Sequence, residues 1–334
     1  MPRPASILAA LTAQEIAEFL PEPLWGRAHG LTGRFEQADP SGLAVADFHQ
    51  RLAAANPEVL LTCWKTPPLP AVLPPNLRYV CHLAGSVKKL VTREHLAAGL
   101  LVSNWGGSIS RIVAEWALFH ILSSLRRATH WTLAMHREGG WKDGRTETAS
   151  LFGRRVGLHG FGLVARELLK LLQPFGCTVS VFAPDVDDIT EARFGIRRAA
   201  SLEDLFSGNQ IVVELAPLIP ATEGSVTEKH LRLIPPGGVF VNVGRGAVVD
   251  EAGLVRVAQE GRINLGLDVF TVEPLPVDSG LRGLANVTLT PHLAGPTTDR
   301  RRDAGEFALE NLQAYAEGRP LQAAITTRVY DTST

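Results

Sequence analysis

Cysteine is scarce in this chain. The three present, Cys63, Cys81 and Cys177, are odd in number and show no Cys-x-x-Cys spacing. That argues against a framework of structural disulfides and against a zinc site, and it fits a reducing cytoplasm. Long apolar runs are also missing. The longest near the N-terminus, Ile7 to Leu11, is too short for a signal-peptide core or a membrane span. An excess of charge of either sign is absent, with 33 Lys and Arg against 34 Asp and Glu and a net charge of −1. Bulk electrostatics therefore offer nothing to nucleic acid or to an anionic membrane surface. No internal repeat or low-complexity tract interrupts the chain. What remains is the profile expected of a soluble, cytoplasmic globular protein. Its 334 residues, 45% of them hydrophobic, suffice for two domains of about 150 residues each.

Strand-like runs alternate with helical spacing along the chain, the pattern of parallel α/β sheets. In the first third the runs are Val59–Trp64, Arg78–Leu83 and Leu100–Asn104, and Val45, Phe48 and Leu52 carry helical spacing. Pro67 to Pro75 reads as a surface connection, because prolines punctuate loops. Arg111–Arg127 predicts a long helix, ended by the Gly139-Gly140-Trp141 break. Six tight units follow, with strands at Arg155–His159, Val179–Phe182, Ile211–Leu215, Val239–Val243, Leu265–Phe270 and Val287–Thr290. Six such units predict a doubly wound parallel sheet. Phe307, Leu309, Leu312 and Tyr315 predict one amphipathic helix in a tail too short to be a domain.

Gly160-Phe161-Gly162-Leu163-Val164-Ala165 fits the dinucleotide fingerprint G-x-G-x-x-G/A between a strand and a helix running from Val164 to Phe175. Gly160 permits the sharp turn, Gly162 lets the backbone approach a pyrophosphate, and Ala165 allows close helix packing. The helix N-terminus then presents free N–H groups to the phosphates. An acid that grips the adenosine ribose is expected about 20 residues on. Ala183 stands there, 23 residues after Gly160, and Asp185 is the nearest acid. Asp185, Asp187 and Asp188 would repel a 2′-phosphate, so NAD is expected over NADP, unless Arg193, Arg197 or Arg198 folds back.

Three motifs carry the chemistry. Arg245 lies in Asn242-Val243-Gly244-Arg245-Gly246, Glu273 in Asp268–Pro274, and His292 in Thr290-Pro291-His292-Leu293-Ala294-Gly295. Each follows a strand-like run, and the carboxyl ends of parallel strands open into a ligand crevice. Guanidinium pairs with a carboxylate through two parallel hydrogen bonds. Imidazole is the usual acid/base near neutral pH, and Glu273 is placed to accept its other ring N–H and fix its tautomer.

On these motifs, together with Ala114-Glu115-Trp116-Ala117, Pro217–Thr222 and Val249-Asp250-Glu251, the chain resembles the D-isomer-specific 2-hydroxyacid dehydrogenases from about Leu77 to Gly295. The resemblance implies reversible NAD(P)H-dependent reduction of a 2-keto acid to a D-2-hydroxy acid. It implies that Arg245 binds the substrate carboxylate, His292 donates the proton and Glu273 supports His292. Asp268 would hold the nicotinamide carboxamide, and backbone amides near Gly85 and Ser86 would also receive the substrate carboxylate. Further cofactor contacts implied are Phe161, Leu163, Val164 and Asp185, then Ala216, Pro217 and Thr222, then Val243, Gly244, Arg245, His292 and Gly295. It implies a Rossmann domain, residues 104–296, inserted into a smaller flavodoxin-like α/β substrate domain made of residues 1–103 and 297–334. It also implies a homodimer through the long helix and the segment from Trp131 to Trp141, and a crevice that closes on substrate.

Some positions depart from that family. Ala84-Gly85-Ser86-Val87-Lys88-Lys89 is one residue short of the usual loop, Leu163 replaces a polar or basic side chain, and His159 stands in place of an aliphatic residue and reads as a loop residue. Trp64, Lys65, His82 and Trp105 are candidates to line the crevice and set substrate size. Two readings compete with the enzyme: an NAD-sensing, corepressor-like binding protein of the same fold, and a dehydrogenase for a non-carboxylate oxyanion such as phosphite.

Overall fold

The computed structural model describes residues 4–142 and 144–332. The chain forms two compact units, one of residues up to Ile109 together with those from Pro296 on, the other Ser110–Gly295. The first boundary lies six residues beyond the expected one. Asn104 and Trp105 stay with the first unit because the Asn104 Nδ2 donates to the Gly85 carbonyl at 2.7 Å and the Trp105 ring lies against Gly85.

The first unit holds five parallel strands: β1 (Ile7–Ala10), β2 (Phe35–Gln37), β3 (Val59–Thr62), β4 (Tyr79–His82) and β5 (Leu101–Ser103). Their order, β2-β1-β3-β4-β5, is the flavodoxin-like doubly wound one. β1, β3 and β4 are buried along their whole length, as short apolar runs covered on both faces must be. Helix Val45–Ala55 turns Phe48, Leu52 and Ala55 inward at helical spacing. The tail supplies helix Arg301–Ala316, which packs on helix Ala13–Phe19 so closely that a Cβ on Gly305 would stand 1.7 Å from the Phe19 carbonyl oxygen. Tyr315 stacks on Tyr79 at 5.0 Å. A second tail helix, Thr327–Thr332, was not expected.

The second unit holds seven parallel strands: β6 (Arg155–His159), β7 (Thr178–Phe182), β8 (Arg197–Arg198), β9 (Ile211–Glu214), β10 (Val239–Asn242), β11 (Asn264–Leu267) and β12 (Val287–Leu289). The order β12-β11-β10-β9-β6-β7-β8 is that of a Rossmann sheet with an extra edge strand, and the strand order reverses between β6 and β9. One face packs on helices Ser110–Leu125 and Leu163–Leu172, the other on helices Leu202–Gly208, Glu228–Leu233 and Glu251–Glu260. The helix after the fingerprint ends at Leu172 and tightens into a 3₁₀ turn at Gln173–Phe175. Pro174 lacks the N–H an α-helix would use there. Among the described residues no helix is long and apolar enough to cross a membrane.

Candidate active site

The last residues of neighbouring strands share one row across the second sheet. Phe182, His159, Glu214, Asn242 and Leu267 are partners in register from β7 to β11. His159, Glu214 and Asn242 are all buried. Glu214 and Asn242 turn onto the backbone of the loop that follows. Asn242 accepts the Gly244 N–H through Oδ1 at 3.0 Å and donates from Nδ2 to the Arg245 carbonyl at 3.1 Å, which shapes the Gly-Arg-Gly turn.

Arg245 leaves that turn half-buried, with Nη1 donating to the Gly244 carbonyl at 2.7 Å. Desolvation works against its charge and the nearby Glu273 carboxylate works for it, with desolvation the larger, so its proton affinity is lowered. A guanidinium stays charged even so, and leaves most of its donors for an incoming anion. The next residue admits no side chain, because a Cβ on Gly246 would stand 2.0 Å from the Phe270 carbonyl carbon. That contact presses the Arg245 turn onto the loop after β11. There Glu273 accepts the Phe270 N–H through Oε1 at 3.0 Å and meets His292 Nδ1 through Oε2 at 2.7 Å. His292 sits at φ 55, its N–H donating to the Asp268 carbonyl at 2.8 Å. Its side chain is 46% exposed. With Nδ1 on the carboxylate, Nε2 is the nitrogen free for a ligand. The sequence-predicted trio thus lies in one loop cluster at the carboxyl ends of β10, β11 and β12. A 540 Å³ cavity adjoins it, lined by Phe270, Glu273, Leu275, Leu289 and His292 among others.

Asp268, expected near the nicotinamide, is itself tightly held. It is fully buried, and its carboxylate takes four donors: Trp116 Nε1 at 3.0 Å, Thr290 Oγ1 at 2.6 Å, and the N–H groups of Leu293 and Ala294 at 2.8 and 2.9 Å. It clamps the loop that carries His292 onto the long helix. His120 completes this clamp and was missed in the sequence. Burial holds its proton affinity down to about 4, so it is neutral. Thr290 spends its proton on Asp268 and therefore accepts from His120 Nε2–H at 3.0 Å.

The fingerprint loop fits a dinucleotide. Gly160 has φ +91, and a Cβ there would stand 2.8 Å from the Ala216 nitrogen, so glycine is required by both conformation and space. Gly162 caps helix Leu163–Leu172 without any side-chain cap, and nothing lies within 4 Å of where its Cβ would be. The first N–H groups of that helix are open to phosphate. Phe161 offers only its backbone, since its ring is in the core beneath the Arg166 guanidinium. Val164 packs against the same core, while Leu163 is exposed. Thr222 likewise turns inward, donating to the Pro217 carbonyl at 2.5 Å to brace its own loop. Ala216 and Val243 are buried, and a Cβ on Gly244 would stand 3.1 Å from the Glu214 carbonyl oxygen. Gly295 has open space where a Cβ would be.

Past β7, Asp185 is exposed. Arg198 does fold back, onto Asp188 at 3.0 Å and the Val186 carbonyl at 3.3 Å, whereas Arg197 turns to Asp204. Two expectations are corrected. His159 is no loop residue but the buried end of β6, bonded to Glu214. His82 does not line a surface. It ends β4 in the interior with Nδ1 on Thr62 Oγ1 at 2.9 Å, and burial lowers its proton affinity to about 4. In that same unit Trp64 and Lys65 are exposed, Trp105 covers Gly85, and Ser86 Oγ accepts the Lys88 N–H at 3.4 Å.

The sequence matches the family model for the D-isomer specific 2-hydroxyacid dehydrogenase NAD binding domain over residues 118–294. It is 32% identical to hydroxyphenylpyruvate reductase of Plectranthus scutellarioides, over 74% of this chain and 78% of that protein. The fold is similar to apo D-mandelate dehydrogenase of Rhodotorula graminis, with a TM-score of 0.83 at 22% identity over 97% of this chain and 98% of that one. A D-isomer specific 2-hydroxyacid dehydrogenase from Xanthobacter autotrophicus Py2, solved with NADPH and MES, is 28% identical with a TM-score of 0.73, covering 98% and 99% of the two chains.

Proposed function

Because this chain belongs to the D-isomer specific 2-hydroxyacid dehydrogenase family of NAD(P)-dependent oxidoreductases, we propose that it interconverts a 2-keto acid and a D-2-hydroxy acid, with NAD(H) as the working cofactor. The observation that carries the reading is the His292–Glu273 bond, 2.7 Å long, in the loop cluster that also holds Arg245. Arg245 grips the substrate carboxylate through its paired N–H fork. Glu273 accepts from Nδ1, which leaves the Nε2 proton of His292 for the keto oxygen and keeps the ring oriented while it is given up. The exposed edge of His292 lets the lost proton return from solvent. The Gly160–Gly162 turn and the uncapped helix behind it receive the diphosphate. A nicotinamide held there would supply the hydride for the keto carbon. Preference for NAD rests on Asp185 and Asp187 past β7, while Arg198, which does fold back, is offset by its ion pair with Asp188.

The test is a screen of purified protein with glyoxylate, hydroxypyruvate and larger 2-keto acids, following NADH and NADPH absorbance separately. Oxidation of NADH with at least one acid is expected. Tight NADH binding with no turnover of any acid would sink the enzymatic reading in favour of dinucleotide sensing, and NAD⁺ reduction by phosphite alone would favour the oxyanion reading.

We propose further that the protein is a homodimer. Phe119 and Met135 are 43% and 53% exposed on helices Ser110–Leu125 and Ala128–Arg137, beside an apolar groove that includes Leu122 and Leu133. Contiguous exposed apolar surface marks protein–protein contacts or ligand grooves. Light scattering should return twice the chain mass of 36.0 kDa, and a monomer at micromolar concentration would refute it.

A further inference from the structure

The row of strand-end side chains holds one pair that the proposed chemistry leaves unused. His159 closes β6 and Glu214 closes β9, directly opposite in register, with Nδ1 and Oε2 at 2.5 Å. Their side chains are 6% and 0% exposed. The second carboxylate oxygen, Oε1, accepts the Ala216 N–H at 2.8 Å. On the other side of His159 stands the Phe182 ring, 5.8 Å away between centroids. The row of partners puts this pair at the reversal of strand order, where open α/β sheets take their ligands.

Two backbone segments meet above it. Gly160 follows His159 directly, and the position of its absent Cβ is 2.8 Å from both the Ala216 nitrogen and the Leu215 carbonyl oxygen. One carboxylate therefore ties down both partners of that contact. It holds the ring before the glycine turn and the N–H of the loop that leads to Pro217. Stability alone does not account for this. A buried polar pair between strands is seldom better than apolar side chains of like volume, although losing one member of it is strongly destabilising. The neighbouring strand positions Val156, Leu158 and Val213 are apolar and fully buried.

We infer that His159 and Glu214 are positioning residues for the dinucleotide: together they fix the gap between the Gly160–Gly162 turn and the Leu215–Pro217 loop, and so set cofactor affinity without touching the keto acid. The inference rests on dinucleotide binding by this unit, not on the proposed keto-acid chemistry, so its test reads cofactor binding directly. Two variants separate geometry from fold. His159→Leu with Glu214→Val replaces the pair by apolar side chains. Glu214→Asp keeps the carboxylate but withdraws it by one methylene, so that it no longer spans both contacts.

Calorimetric titration with NADH should show Kd rising roughly tenfold in the double variant, about the worth of one well-made hydrogen bond, with its thermal midpoint kept or raised. Glu214→Asp should move Kd in the same direction. At saturating NADH the keto-acid KM should stay as in the parent protein. Unchanged NADH Kd in either folded variant would overturn the inference, as would a keto-acid KM that rises in step with Kd. Should the double variant fail to fold, Glu214→Asp alone decides. If the parent protein itself binds neither NADH nor NADPH, the dinucleotide assignment fails first, an outcome distinct from the other two.

Discussion

The His292→Ala variant is expected to lose roughly 10²- to 10⁴-fold in turnover, the range that general acid catalysis contributes, while NADH binds as before. The geometry makes the loss specific. Glu273 holds Nδ1 at 2.7 Å, so the imidazole is locked with one nitrogen outward, and alanine removes donor and orientation together. Removing a half-exposed side chain at a loop position does little to stability, so thermal unfolding should barely move. Stopped-flow reduction of a 2-keto acid at saturating NADH is the measurement. Near-parental rates would take His292 out of the reaction and leave the Glu273 bond as a structural contact.

Arg245→Lys should cost roughly 10- to 100-fold in kcat/KM, the equivalent of about 1.5–3 kcal/mol for a hydrogen bond to a charged group. Charge is conserved in this exchange, so any loss reports on shape. A lysine ammonium is a point donor and cannot supply two parallel N–H groups to one carboxylate. The turn itself should survive, because Asn242 holds it by backbone groups that the substitution does not touch. The loss should fall on KM more than on kcat. An unchanged KM with every acid tried would mean that Arg245 meets no carboxylate.

The trio was legible because each member has an uncommon neighbour: glycines beside Arg245, proline after Glu273, proline before His292. Each marks a strand end, and the crevices of open α/β sheets collect strand ends. The main strands were legible because they are buried on both faces and read as continuous apolar runs. β1 was missed since Ile7–Ala10 is short and half alanine. β2 and β8 were missed because three-residue Phe35–Gln37 and two-residue Arg197–Arg198 are edge strands with mostly polar side chains, which carry no periodic signal. The strand expected at Leu265–Phe270 ends at Leu267, because Asp268 leaves the sheet to become a clamp that hydrophobic periodicity cannot announce. His159 and Glu214 were invisible as a pair for a plainer reason. They are 55 residues apart, and nothing in either segment names the other. Tertiary register alone brings them together.

The two units differ in how the ribosome can deliver them. Residues 110–295 emerge as one unbroken stretch, and their seven strands can assemble as soon as the last has cleared the exit tunnel. The other unit is asked to wait. Its five strands are translated before residues 110–295, yet the layer that covers β4 and seats Gly305 against Phe19 belongs to helix Arg301–Ala316, made after them. Until then the apolar flank of Tyr79 and Phe19 lies bare, and it is in that interval, more than in the finished protein, that a nascent chain of this kind would need a chaperone.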